Sequence, residues 1–213
     1  MCGSGRFLVP ILERGYNIDG FDSSIEMLER CKNKIKSCGN DQIIEQNNFS
    51  EYKPSKQYDF IFIPSCSYSL ITVDSEIKAS LSHLKNLLAP NGKIVLELFT
   101  NEVLDEEKKN RSNIPKKRSV KEGNIEIILY ETRTDIKEEN NVANYYFTYE
   151  LYKDNIFLEQ ENETIGIKYY YPNEFDAYLK QAGLDTINKY INYNRTIYSG
   201  QKTDILIYEL QKS

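Results

Sequence analysis

Cys2-Gly3-Ser4-Gly5-Arg6-Phe7, followed by the short run Asn17-Ile18-Asp19-Gly20-Phe21-Asp22, decides the reading of this chain. Between them, Phe7 to Arg14 carries apolar residues at helical spacing and stops at Gly15, a natural helix C-cap. A glycine loop directly before a helix turns its backbone amides and the positive end of the helix toward whatever anion lies there. Glycine at positions 3 and 5 permits positive φ and a close approach of ligand to main chain. Asn17–Phe21 reads as a short strand ending at Asp22, where a carboxylate can accept hydrogen bonds from both hydroxyls of a ribose. A two-glycine turn alone is weak evidence. Loop, helix, strand and terminal Asp in succession point to a nucleoside site.

Outward from that stretch, Ser23-Ser24-Ile25-Glu26 has the form of a capping box with Ser23 as N-cap. The helix it opens sets Met27, Leu28, Cys31 and Ile35 on one face and ends near Cys38-Gly39. Ile43-Ile44 is a strand candidate, and Tyr58–Ile63 is apolar enough for a strand buried on both faces. Ser75–Leu88 predicts a helix with an Ile77, Leu81, Leu84, Leu88 stripe. Pro90-Asn91-Gly92 reads as a turn and Lys93–Phe99 as the next strand. This alternation predicts an α/β fold with a doubly wound, mostly parallel Rossmann-like sheet.

After Thr100 the pattern changes. Glu102–Glu122, with Lys116-Lys117-Arg118, reads as a solvated connection. Three β-rich runs follow, Ile125–Asp135, Val142–Lys153 and Ile156–Tyr170, predicting an antiparallel insertion. A helix from Pro172 to Ala182, closed by Gly183, and strands at Ile187–Tyr193 and Asp204–Leu210 complete the chain. The expected organisation is a core from residues 1–100 and 171–213, with 101–170 as linker and β lid.

The 213 residues carry a net charge of −5, so no global basic field favours a nucleic-acid partner. No apolar run is long enough to span a bilayer, and the first ten residues do not read as a secretory signal. The expected setting is cytoplasmic, with the four cysteines reduced. One histidine, His83, leaves no His-based metal site, so no metal is expected. His83 lies off the apolar stripe of its helix and is read as an exposed helix residue rather than a catalytic base. Asn48, Asn162 and Asn194 begin Asn-x-Ser/Thr triplets, which without secretion are chance matches.

The motifs resemble the class I S-adenosylmethionine-dependent methyltransferases: the glycine loop, the strand ending in Asp22, then Ser23-Ser24 and Met27-Leu28. The likeness continues at Phe49–Tyr52, Tyr58-Asp59-Phe60-Ile61 and Leu87-Leu88-Ala89-Pro90-Asn91-Gly92-Lys93. Tyr169-Tyr170-Tyr171-Pro172-Asn173-Glu174-Phe175 and Ala182-Gly183-Leu184 resemble small-molecule methyltransferases whose active site an antiparallel insertion covers. The resemblance implies S-adenosyl-L-methionine as cofactor. Gly3, Ser4 and Gly5 would line its methionine end, Asp22 would hold the ribose, and Ser23 and Met27 would lie beside the adenosine. Asn48 stands where the family often has Asp accepting from the adenine amino group, and Phe49 would cover the ring. Ser65 would border the transferring methyl. Tyr68, Tyr169 and Arg195 are the substrate-pocket candidates, and no residue is singled out as the catalytic base.

The family has an apolar strand immediately before the glycine loop, at the middle of its sheet. Here the loop opens the sequence, so the expectation is a chain that begins further upstream and, without that strand, an open seam. The implied reaction is in-line methyl transfer to a nitrogen or oxygen of a small-molecule acceptor, by a monomer or homodimer. It rests mainly on positioning, and the scarcity of imidazole tilts it slightly toward a neutral amine or an acceptor with an ionisable group, with Tyr, Asp or Glu as the other candidate bases. The alternatives are an inactive or purely nucleoside-binding homologue and, more remotely, a nicotinamide oxidoreductase. The last expects a third glycine where Leu8 stands.

Overall fold

The computed structural model describes every residue except Ile43, Ser50 and residues 110–114. After the glycine loop, α1 (Leu8–Glu13) buries Leu8, Val9 and Leu12. β1 (Gly20–Asp22) leads into α2 (Ile25–Ser37), whose Leu28, Cys31 and Ile35 pack on α1. The α2 cap is Ser24, not Ser23: Ser24 Oγ accepts from the Met27 N–H at 3.1 Å. Asp22 Oδ1 accepts from the Ser24 N–H (3.1 Å), which holds the chain extended for one residue more than the capping-box reading allowed. β2 (Ile44–Gln46) pairs in parallel with β1 and completes a two-stranded sheet. Of the expected Ile43-Ile44 strand, Ile43 lies outside the described residues.

A second unit begins with β3 (Tyr58–Ile63), a 3-10 turn at Ser67–Leu70, α3 (Asp74–Leu87) and β4 (Leu88–Phe99). The α3 stripe is fully buried, as its spacing predicts. Pro90-Asn91-Gly92 is not a separate turn but a bulge within β4. Tyr58 sits opposite Leu88 and Phe60 opposite Lys93, so residues 89–92 arch over Asp59 alone.

The supposed connection holds two regular elements, α4 (Asn101–Lys109) and β5 (Lys116–Glu122); residues 110–114 of it lie outside the described residues. β5 was invisible as a strand because all its side chains are exposed; backbone pairing with β6 (Ile125–Lys137) holds it. β7 (Val142–Lys153) and β8 (Ile156–Lys168) complete an antiparallel sheet in chain order. α4 packs Leu104 against Ala143, Tyr145 and Tyr169 at its inner end. Then come α5 (Pro172–Ala182), ended by Gly183 at φ 71°, β9 (Leu184–Tyr190) and β10 (Ile205–Lys212).

The second sheet runs β3-β4-β10-β9. Only β3–β4 is parallel; β10 runs antiparallel to both β4 and β9, so the sheet is mixed rather than mostly parallel. Its main core packs α3 and α5 on the sheet through Leu81, Leu84, Phe175, Leu179 and Tyr208. β3 is not buried on both faces. It is an edge strand, and Phe60 is 56% exposed. Among the described residues neither β1 nor β3 has a partner on its second side, leaving the seam open. The glycine loop crosses it: Cys2 N–H donates to Phe21 O (2.8 Å), Arg6 Nη2 donates to Ser65 Oγ (2.8 Å), and the Phe7 ring meets Phe62 edge-on at 5.7 Å. No helix among the described residues is long and apolar enough to cross a membrane.

Candidate cofactor site at the glycine loop

Two glycines shape the loop differently. Both have positive φ, +54° at Gly3 and +78° at Gly5. A Cβ on Gly5 would lie 2.6 Å from Cys31 Sγ, so glycine there lets α2 pack against the loop. A Cβ on Gly3 would meet nothing within 4 Å, so the main chain there faces open space. Lys34 from α2 pins the loop by donating to Ser4 O (2.9 Å) and Ser4 Oγ (3.3 Å).

Asp22 joins loop and helix. Its Oδ2 accepts from the Gly3 N–H (2.8 Å) while Oδ1 accepts from the Ser24 N–H. Each carboxylate oxygen keeps a further lone pair, so two hydroxyls can still be received. Ser23 is exposed, and Met27, 42% exposed in the first turn of α2, offers an unburied thioether. Asn47 N–H donates to Asp22 O (3.0 Å) and so brings Asn48 to the same end of the strands. Asn48 Nδ2 donates to Glu51 (3.1 Å). Phe49 packs inward among Phe21, Tyr68 and His83, with centroids 6.2–6.4 Å away, so it backs the site and its ring is engaged with those neighbours.

The opposite wall is the end of β3. Ser65 and Cys66 both have left-handed φ, +59° and +53°, a conformation that non-glycine residues adopt only under constraint. The constraint is visible: Ser65 N–H donates to Glu97 Oε2 (2.8 Å), and Arg6 holds Ser65 Oγ. Tyr193 OH also donates to Glu97 Oε2 (3.1 Å), and Glu97 is 1% exposed. Burial, with the Glu97 charge adding, pushes the Cys66 thiol up to about 12, so it stays protonated and is no nucleophile at neutral pH.

The structure therefore gathers Gly3, Ser4, Gly5, Asp22, Ser23, Met27, Asn48 and Ser65 around one loop. It does not gather the three acceptor candidates. Tyr68 is fully buried, its hydroxyl 2.6 Å from Ser80 Oγ, and has no surface to offer an acceptor. Tyr169 is buried at the foot of the lid with its hydroxyl 2.5 Å from that of Tyr145. Arg195 is exposed on the β9–β10 loop; its neighbour Tyr193 is the residue that reaches the Ser65 corner. His83 is half-buried rather than exposed, its Nε2 2.7 Å from Tyr52 O. Lys34, Glu97 and Tyr193 were missed. Glu97 alone had a signal, a single carboxylate inside the apolar run Ile94–Phe99. No cluster of His, Cys, Asp and Glu among the described residues could hold a metal ion.

No curated protein matches the chain in sequence. A solved S-adenosylmethionine-dependent methyltransferase from Clostridium acetobutylicum superposes with a TM-score of 0.78 at 18% identity, over 100% of this chain and 81% of that one. An amino pentose methyltransferase from Micromonospora echinaspora, solved with S-adenosylmethionine bound, gives 0.70 at 13%, over 100% and 80%. A sugar N-methyltransferase from Streptoalloteichus gives 0.74 at 12%, over 100% and 78%. These likenesses show a methyltransferase-like α/β fold. The sequence model of the methyltransferase domain matches residues 2–189, so the chain belongs to that family, the class I S-adenosylmethionine-dependent methyltransferases, and is an enzyme of that kind.

Proposed function

We propose that this enzyme transfers a methyl group to a small-molecule acceptor by in-line displacement, at nitrogen in preference to oxygen. The observation that carries the cofactor half of this reading is the open space over Gly3, bounded by a tethered Asp22 carboxylate that can still accept two hydroxyls. When bound, S-adenosylmethionine supplies an electrophilic methyl carbon on a sulfonium. Asp22 takes the ribose hydroxyls, and Gly3, Ser4 and Gly5 line the methionine end. Ser23 and Met27 lie beside the adenosine. Asn48, its Nδ2 committed to Glu51, keeps an amide oxygen for the adenine amino group. Ser65 borders the methyl, with Arg6 and Glu97 as its positioning residues. The two sheets read as the wings of one Rossmann-like arrangement about the loop, and residues 101–170 act as the lid that excludes water.

Nitrogen is favoured because an amine that binds neutral needs no strong base. The one imidazole is engaged with Tyr52 O, and the Cys66 thiol is held protonated. Fold neighbours named for an amino pentose and for sugar nitrogen point the same way. The test is thermal unfolding with S-adenosylhomocysteine, with NADH as control, followed by turnover on amino sugars. At a thousand times the dissociation constant the ligand should add about 4 kcal/mol. Asp22→Ala should remove the shift. No shift for the parent overturns the cofactor assignment; a shift without turnover on any amine or hydroxyl acceptor supports the purely binding reading.

A further inference from the structure

Glu97 is a buried carboxylate with one oxygen left without a bond. Its Oε2 is doubly engaged, accepting from the Ser65 N–H (2.8 Å) and from Tyr193 OH (3.1 Å). Among the described residues Oε1 has no hydrogen-bond partner, and the carboxylate has no ion pair. The buried side-chain atoms that are both sealed and unpartnered are Tyr170 OH, Glu174 Oε2 and Asp176 Oδ1. Oε1 of Glu97 is not one of them, so it keeps contact with solvent although the residue is only 1% exposed. On its face of β4, Glu97 stands between Val95 and Phe99, with Ile207 of β10 opposite. The Arg6 guanidinium beside this corner goes to Ser65 Oγ instead of to the carboxylate. A negative charge held among apolar neighbours without a cation is costly, and such a group is a candidate to receive its counter-charge from a ligand.

The place of Glu97 says which ligand. Oε2 holds the backbone of Ser65, at the start of the left-handed Ser65–Cys66 turn, so Oε1 lies beside the residue that borders the methyl in the reading above. Tyr193, 72% exposed, reaches the same corner through its hydroxyl, so an acceptor has only a surface side chain to displace there. We propose, resting on that methyl-transfer reading, that Glu97 Oε1 binds the nitrogen of an amine acceptor and so selects nitrogen over oxygen. An ammonium or amine N–H donates to Oε1, and the ammonium form brings the missing positive charge. Once the ammonium has given a proton to water, the lone pair of the free amine forms the N–C bond. The pair of the broken C–S bond stays on sulfur, and the positive charge arrives on nitrogen, beside Oε1. The methylated ammonium still has an N–H for the same oxygen. A hydroxyl brings no charge, gives up its proton, and ends as an ether with no hydrogen to donate.

Glu97→Gln tests this, because its amide oxygen can keep the bonds from Ser65 and Tyr193 while the amide nitrogen puts a neutral donor where Oε1 stood. Calorimetry on the full chain, saturated with S-adenosylhomocysteine, compares glucosamine with glucose as probes. The parent should bind glucosamine about tenfold or more tightly than glucose, and Glu97→Gln should bring the two within about twofold. The unfolding midpoint of the variant should equal or exceed that of the parent, since the fold loses an unpaired buried charge and keeps both bonds. Its affinity for S-adenosylhomocysteine should stay within about threefold of the parent's. On an amino-sugar acceptor kcat/KM should fall about a hundredfold. A parent that does not prefer glucosamine overturns the inference, and so does a Glu97→Gln variant that keeps the preference. A midpoint lowered by Glu97→Gln overturns it as well, by showing that the charge serves the Ser65 turn. Those outcomes fail Glu97 alone; a parent that does not bind S-adenosylhomocysteine fails the methyl-transfer reading, and this proposal with it.

Discussion

Gly3 and Gly5 share a backbone region and differ in what surrounds them, and that difference separates cofactor binding from folding. At Gly5 an added methyl meets a left-handed φ and the buried Cys31 Sγ at 2.6 Å. Gly5→Ala should therefore cost about 2–4 kcal/mol, combining backbone strain with overpacking. Urea unfolding measures it, and adding Cys31→Ala should recover the packing share but not the backbone share. Full recovery, or none, would contradict that division. Gly3→Ala should cost only about 1–2 kcal/mol, yet weaken S-adenosylhomocysteine binding, because its methyl enters open space rather than protein. At this scale the sequence points to the residues that the fold brings together at one end of the strands: the loop, Asp22, Met27 and Ser65. It was silent on Lys34 and Tyr193, whose roles depend on which residues from distant parts of the chain meet. It did not foretell that Tyr68 and Tyr169 are buried, since an aromatic after a strand serves a core as readily as a pocket.

Elements whose formation depends on apolar periodicity were readable. α2, α3 and α5 fall within one or two residues of expectation, whereas β5 and the β4 bulge are fixed by pairing and leave no pattern. The antiparallel sense of β10 was equally hidden, and it brings one carboxylate between three strands. Glu209 on β10 accepts from Lys93 Nζ on β4 (2.7 Å) and from Asn188 Nδ2 (2.9 Å) and Tyr190 OH (3.0 Å) on β9. Chiefly through Lys93, then Asn188 and Tyr190, its carboxyl is held down to about 2 against an ordinary 4.5. A depressed carboxyl stabilises the fold fully above its unfolded value and loses that contribution as pH falls through the folded one. The window thus runs from pH 4.5 down to pH 2. Because Lys93 is half exposed, the stake is about 1–2 kcal/mol rather than the full shift. Glu209→Gln should flatten the acid limb of stability across that window in urea titrations. An acid limb as steep as that of the parent would show that the strands do not depend on this carboxylate.

Beside the lid sheet, the molecule holds two hydrogen-bonded units that meet at a seam next to the glycine loop. The mixed second sheet was not legible in the sequence, since strand direction is a property of the connections. One cluster of buried side chains joins α1, α2 and Ile44, another joins α3 and α5 to the second sheet, and among the described residues no strand pair links these two sheets. Side chains join them: Arg6 on Ser65, Phe7 on Phe62, Phe49 on Tyr68 and His83, the stacked rings of Phe21 and Tyr52 (4.3 Å), and Asp19 receiving Tyr58 OH (2.9 Å) and Lys56 (2.6 Å). β1 and β2 have three residues each, too few to be stable alone. Native-state hydrogen exchange should then show β1, β2 and α2 opening at a lower free energy than β4 and β10. On the proposed placement between Asp22 and Ser65, S-adenosylhomocysteine should raise protection of the first unit by up to about 4 kcal/mol at a thousandfold excess over its dissociation constant. Uniform protection without ligand would show the seam to be as strong as a strand pair. A gain confined to the glycine loop would show that the ligand does not bridge the seam, and would move Ser65 out of the site.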